Sequence, residues 1–299
     1  MTWETNVVVR ETPRPPRVLI YGPAGIGKTS FAAGMPRPIL IDYDHGAEEV
    51  KVARIAGPPT WPLALDLVRR IVASPGEYRT LAIDTVDALE PLAVDHVLAV
   101  NKKKSLNLDF KWGEGHAQVL TLWRELLVEL DRARAAGLHV CLLGHATTRT
   151  VPDPQFGEYD QYTSRLGRKV WDQTKAWSDV VGFANFDAAL HEGERKDRII
   201  VTGERRLYTT RGSGFEAKNR FGIEAPLPLS WGELLAAIDR HRGTQEPLEA
   251  QIRALARGNE EREKRAEEYI LSAGGNVQLL AEILAVLAEK IQQERSVQS

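Results

Sequence analysis

The sequence predicts an α/β fold: a mostly parallel sheet flanked by helices, followed by a helical C-terminal appendage. Three observations predict it. Short apolar runs bounded by turn residues recur along the chain, and amphipathic stretches fall between them. From Gly243 the composition turns helix-rich and charged, with ten acidic and seven basic residues. Strands alternating with helices imply right-handed crossovers and a parallel sheet covered on both faces.

Taken in order, residues 1–16 end in Pro13-Arg14-Pro15-Pro16 and form an extended lead-in, because proline disfavours helix in the residue before it. Residues 17–21 (RVLIY), 38–42 (PILID), 81–84 (LAID) and 139–144 (HVCLLG) have the short apolar character of buried parallel strands. Residues 180–184 and 198–202 are further strands. Residues 61–73 and 116–136 carry apolar positions at helical spacing. In the second of these, Val119, Leu120, Trp123, Leu126, Leu127 and Leu130 make one stripe, and Gly137 stops it. The expected layout is a lead-in at 1–16, a core at 17–242 and a helical tail at 243–299. The tail has a charge-dense stretch at 260–269 and an amphipathic helix at 277–291.

Composition narrows the class. Of 299 residues, 27% are charged and 43% apolar, which supports a substantial core. Lys and Arg number 39 against 41 Asp and Glu. The net charge of -2 excludes a globally basic nucleic-acid coat, although binding follows the local field. One cysteine, Cys141, excludes a disulfide scaffold and a multi-cysteine zinc site, and fits a reducing compartment. No apolar run has the length of a membrane span, and the first residues lack the apolar stretch of a signal peptide. A soluble cytoplasmic protein with no membrane partner is expected.

Residues 22–29 (GPAGIGKT) match G-x-x-x-x-G-K-[ST] in full, between a strand and a helix pattern. Glycines let the backbone curl so that its N–H groups converge on phosphates, and the helix start adds partial positive charge. Nucleotide contacts are expected from Gly22, Pro23, Ala24, Gly25, Ile26, Gly27, Lys28, Thr29 and Ser30. Lys28 would reach the β- and γ-phosphates, and the Thr29 hydroxyl would ligate Mg²⁺. Asp84 closes an apolar strand. A parallel strand delivers that carboxylate to the edge where ligands bind, so Asp84 is the second expected Mg²⁺ residue. ATP and Mg²⁺ are the expected cofactors.

Four stretches together resemble the RecA-like ATPases. In residues 38–46 (PILIDYDHG), Asp44 occupies the acidic position that activates water in that family. Residues 81–89 (LAIDTVDAL) resemble the strand with the metal aspartate, and His145, ending 142–145, takes the position of a γ-phosphate sensor. Residues 216–220 (EAKNR) resemble the segment inserted into a neighbour's ATP site, which makes Lys218 and Arg220 candidate fingers in trans. The layout over residues 17–232 resembles most the phage-encoded RecA-like ATPases related to Sak-type single-strand annealing proteins. Asp44 stands where the family has glutamate, His145 where RecA has glutamine, and Arg220 where it has a second lysine.

That resemblance implies an ATPase acting on single-stranded DNA in phage recombination or replication. It also implies a homo-oligomer with ATP at subunit interfaces, a single-strand-binding protein as partner, and the bacterial host cytoplasm as location. Two stretches are expected to meet DNA. One, 101–113, carries Lys102, Lys103, Lys104 and Lys111 against one acid, Asp109, with Trp112 and Phe110 available to stack on bases. The other, 147–169, is expected as a mobile loop with Arg149, Arg165, Arg168 and Lys169. Two alternatives stay open on the residues alone. One is an ATP-dependent switch or loader without significant turnover; the other is a small-molecule P-loop kinase.

Overall fold

The computed structural model describes residues 14–46, 49–153, 157–191, 198–244, 248–273, 283, 286–288 and 290. Residues 1–13 of the lead-in expected at 1–16, and most of the helix expected at 277–291, lie outside the described residues. The chain divides into two compact units, Met1–Leu235 and Ala236–Ser299.

The first unit is built on a ten-stranded sheet. Its strands are β1 (Arg17–Gly22), β2 (Pro38–Asp42), β3 (Ala53–Ala56), β4 (Thr80–Asp84), β5 (His139–Asp153), β6 (Gly157–Ser164), β7 (Val180–His191), β8 (Arg198–Tyr208), β9 (Lys218–Asn219) and β10 (Leu227–Pro228). The order is β10-β8-β7-β1-β5-β4-β2-β3, with β6 paired to β5 and β9 to β7. From β7 to β3 the strands run parallel, and the remaining pairs are antiparallel. Its helices are α1 (Lys28–Ala33), α2 (Trp61–Ala73), α3 (Leu89–Asn101), α4 (Glu114–Ala135) and α5 (Arg168–Trp177), and α6 (Trp231–Thr244) spans the division at Leu235. No described helix is long and apolar enough to cross a membrane.

Successive strand residues point to opposite faces, so a strand covered on both sides is apolar throughout. Leu19, Tyr21, Ile41, Ile83, Val140 and Leu142 join one core cluster with the buried faces of α2, α3, α4 and α5. The intervening Val18, Ile20, Leu40, Ala82, Cys141 and Leu143 are also buried. α1 packs against β1 and β5. Trp123 ties three helices together. Its ring stacks on Trp61 at 6.2 Å, and its indole N–H donates to Thr174 Oγ1 at 2.8 Å. That bond satisfies the one polar group of a fully buried tryptophan.

One expectation is corrected here. Residues 147–169 are not a mobile loop: 147–153 and 157–164 pair as the β5–β6 hairpin, from Ala146↔Ser164 to Asp153↔Gly157. Thr147, Thr148, Thr150, Val151, Tyr159, Tyr162 and Thr163 explain it, since β-branched and aromatic side chains favour the pleated surface. Of the rest of that stretch, Arg168 and Lys169 open α5.

In the second unit, α7 (Leu248–Ala256) and α8 (Glu260–Ala273) pack through Ile252, Ala256, Ala266 and Ile270. The Asn259 side chain accepts from Arg262 N at 3.0 Å and caps α8, whose first turn carries Glu260, Glu261 and Glu263. The charge-dense 260–269 is thus the first part of one amphipathic helix.

Candidate active site

The C-terminal ends of β1, β2 and β4 share one sheet edge with His145 of β5, and the residues singled out around the phosphate-loop motif gather there. β1 feeds the loop at Gly22. A Cβ on Gly22 would lie 2.3 Å from the carbonyl oxygen of Ala184 in β7, so only glycine lets the two strands close this tightly. At the other end of the loop, Gly27 takes φ 106, a left-handed value that turns the chain into α1.

Lys28 opens α1 and is only 6% exposed. Its ammonium donates to Gly22 O at 3.1 Å and Pro23 O at 3.0 Å, which folds the side chain back over the loop. Burial pulls its pKa down; Asp84, Asp87 and Asp44 work against that pull and favour the cation.

Thr29 Oγ1 donates to Asp84 Oδ2 at 2.6 Å. Asp84 is buried, and burial pushes its carboxyl above the usual carboxylate range. The Thr29 bond and Lys28 oppose that rise, while Asp44 and Asp42 add to it. A hydroxyl and a carboxylate converging at the loop are hard oxygen donors of the kind Mg²⁺ takes. Among the described residues no group of three or more His, Cys, Asp and Glu gathers to hold a metal. Mg²⁺ needs none, because it is usually held by one or two protein oxygens with water and phosphate completing the shell. Thr29 and Asp84 therefore fit the ion.

β5 lies between β1 and β4, with Gly22 in register with His145 and Asp84 with Leu143. His145 therefore emerges between the phosphate loop and Asp84. Its backbone N–H donates to Asp87 Oδ1 at 2.8 Å, and its Nδ1 lies 2.9 Å from Asp87 Oδ2. An ionised carboxylate only accepts, so this contact places the proton on Nδ1. Burial raises the pKa of Asp87, but the bonds from His145 outweigh it and hold the carboxyl below the usual range. Nε2 of His145 is 3.4 Å from Asp44 Oδ2, and Thr85 Oγ1 is 3.4 Å from Asp44 Oδ1. Asp44, with its side chain 38% exposed, is open to solvent.

Asp87 was not among the residues singled out. It stands three positions after Asp84, in the 3-10 turn Val86–Ala88, and the spacing alone reads as a helix start. Arg165 joins the same group by a different contact from the one expected. Its Nη1 is 3.9 Å from Asp87 Oδ2, and its backbone N–H donates to His145 O at 2.8 Å. Arg149 reaches back along the hairpin to Leu166 O at 2.6 Å.

Lys218 and Arg220 are not brought to the phosphate loop of their own chain. β9 pairs Lys218 with Val181, at the beginning of β7, whereas Gly22 ends β1. The Lys218 ammonium donates to Lys175 O, Ala176 O and Ser178 O at 3.0, 3.0 and 2.9 Å, which caps α5. Arg220 Nη1 lies 3.6 Å from Asp179, and about half of the Arg220 side chain is exposed. Glu216 anchors the segment from the other end: its carboxylate takes Lys175 Nζ at 2.9 Å and the Trp171 indole N–H, and its carbonyl takes the Tyr21 hydroxyl.

Lys102, Lys103, Lys104 and Lys111 are all exposed, and so is Trp112, at 99%. Asp109 Oδ2 accepts from Lys104 N and Ser105 N at 2.7 and 2.9 Å, so the one acid of the stretch folds the connection. Phe110 and Leu106 pack on the core and leave Trp112 to solvent. Leu106, His116, Arg168, Lys169 and Glu90 line one cavity of about 450 Å³, so the two stretches expected to meet DNA border a single concavity.

A family model described as an AAA domain matches residues 14–221. No curated protein matches the chain.

Proposed function

The chain belongs to the AAA-domain family, and from that premise of a P-loop ATPase we propose a Mg²⁺-dependent enzyme that hydrolyses ATP and acts on single-stranded DNA. The observation that carries the reading is the convergence of Lys28, the Thr29–Asp84 pair and the chain Asp44–His145–Asp87 on one sheet edge. In this reading the loop N–H groups and Lys28 bind the phosphates and stabilise charge as it develops. Mg²⁺, when bound, supplies further neutralisation of the phosphate oxygens at Thr29 and Asp84. Asp44 orients the attacking water and accepts its proton. His145, held by Asp87, reads the γ-phosphate position beside Asp44. The β5–β6 hairpin starts from His145, and Arg165 ties its returning end to Asp87. A shift of His145 is thereby transmitted to the hairpin.

Single-stranded DNA is proposed to lie along Lys102, Lys103, Lys104, Lys111 and Trp112, with Arg168 and Lys169 across the concavity. Exposed cations follow a phosphate backbone, and an exposed indole stacks on a base. We place the protein in strand annealing or pairing, as a homo-oligomer working with a single-strand-binding protein. Arg220 fits a role toward a neighbouring copy better than Lys218 does, because the Lys218 ammonium already caps α5.

The lysine cluster gives the test. Replacing Lys102, Lys103 and Lys104 with alanine should weaken binding to a homopolymeric single strand. It should also make the slope of log K against log salt shallower by about 2, at about 0.7 per lost phosphate contact. An unchanged slope would remove this loop from the DNA site.

A further inference from the structure

Arg205 lies on β8, remote in sequence from the phosphate loop. β8 is held between β7 and β10: Arg205 pairs with Phe186, and its carbonyl accepts from Leu229 N at 3.0 Å. The backbone at this position is therefore fixed by the sheet. From there the side chain reaches the loop. Arg205 Nη1 lies 2.9 Å from where a Cβ on Gly27 would sit. The neighbouring Arg206 is engaged by Glu204 Oε2 at 2.5 Å and Asp187 Oδ2 at 3.7 Å. Among the described residues no carboxylate pairs with Arg205. A guanidinium thus stands against the phosphate loop at Gly27, while Asp84, Asp87 and Asp44 flank the Lys28 ammonium.

The sheet order says which part of a polyphosphate Arg205 faces. Asp84 ends β4, His145 lies within β5 and Asp44 follows β2, all on one side of β1. Arg205 comes from the opposite side, across β7. Lys28 and the Thr29–Asp84 pair mark the β/γ end of a polyphosphate. The β8 flank faces the end nearer the nucleoside.

We propose that Arg205 is a further nucleotide-binding residue, whose guanidinium holds the α- and β-phosphates of the nucleotide bound by its own chain. This rests on residues 22–29 being the nucleotide site. Its planar fork suits two phosphate oxygens at once, which a lysine cannot match. Because ADP and ATP share these phosphates, Arg205 contributes equally to both.

Calorimetric titration of Mg·ADP and Mg·ATP into the full chain, at fixed salt, tests this with Arg205→Ala, Arg205→Lys and Lys28→Ala alongside. Arg205→Ala should weaken both nucleotides alike, by about tenfold, as expected for one charge-assisted contact. Arg205→Lys should restore part of the loss. If Lys28→Ala weakens binding while Arg205→Ala leaves both affinities unchanged, the Arg205 assignment falls and the phosphate loop stands. A loss confined to ATP would also overturn it, because it would move Arg205 to the γ-phosphate. Undiminished binding by Lys28→Ala would overturn the loop assignment, and the Arg205 proposal with it.

Discussion

Lys28→Ala is expected to lower ATP turnover by about 10²–10³-fold, the range for removing one preorganised charge from a reacting site. The geometry explains the size. The ammonium is buried, folded onto Gly22 O and Pro23 O, and flanked by Asp84, Asp87 and Asp44. No other lysine or arginine described at this loop has that position; Arg205 approaches Gly27 from the far side. Alanine leaves the three acids facing incoming phosphates with less compensation, so binding and turnover both fall. The fold should survive, because the ammonium bonds only to loop carbonyls that water can reach once the side chain is shortened. Steady-state turnover, with circular dichroism to confirm folding, checks this; turnover within threefold of the parent would remove the loop from the chemistry.

Asp87→Ala should slow turnover by about 10–100-fold, the range for a group that orients a reacting side chain. Asp87 acts through His145: both of its oxygens take a hydrogen from that residue, one from the backbone and one from Nδ1. Without it the ring loses its orientation toward Asp44, and Arg165 loses its partner. His145→Ala should cost about as much. The double variant should be no slower than either single one, because residues that act as a unit are not additive. Asp87→Asn keeps an oxygen acceptor and should recover part of the rate. Because the Asp87 carboxyl is held below the usual range, the contact should persist across pH 5–8. Additive losses in the double variant would show that Asp87 serves the fold and not His145.

The chemistry legible in the sequence was the part carried by short contiguous segments. The phosphate loop is one stretch of chain, and its glycines have a local reason to be there. Asp84 and His145 were legible because each ends an apolar strand, and parallel strands deliver their ends to one edge. What escaped depends on pairing between distant segments. The hairpin of 146–153 with 157–164 does not show in the sequence, because its acids and prolines mask a run of threonines and tyrosines. β3 is exposed along its length, so no apolar signal marks it. α5 buries only Val170, Trp171 and Thr174, too few for a helical stripe to stand out. The Arg205–Gly27 approach joins residues that only the β7–β8 pairing brings together. Lys218 shows the converse: a segment that resembles a finger caps a helix in its own chain.

The central claim is that the phosphate loop is an ATPase coupled through His145 and the hairpin to single-stranded DNA. Steady-state ATP hydrolysis, with and without a homopolymeric single strand, at fixed low salt and over a range of protein concentrations, tests it most directly. The account predicts a severalfold stimulation by DNA and turnover that rises more steeply than linearly with protein, as copies assemble. Hydrolysis that is the same with and without DNA at every protein concentration would contradict it.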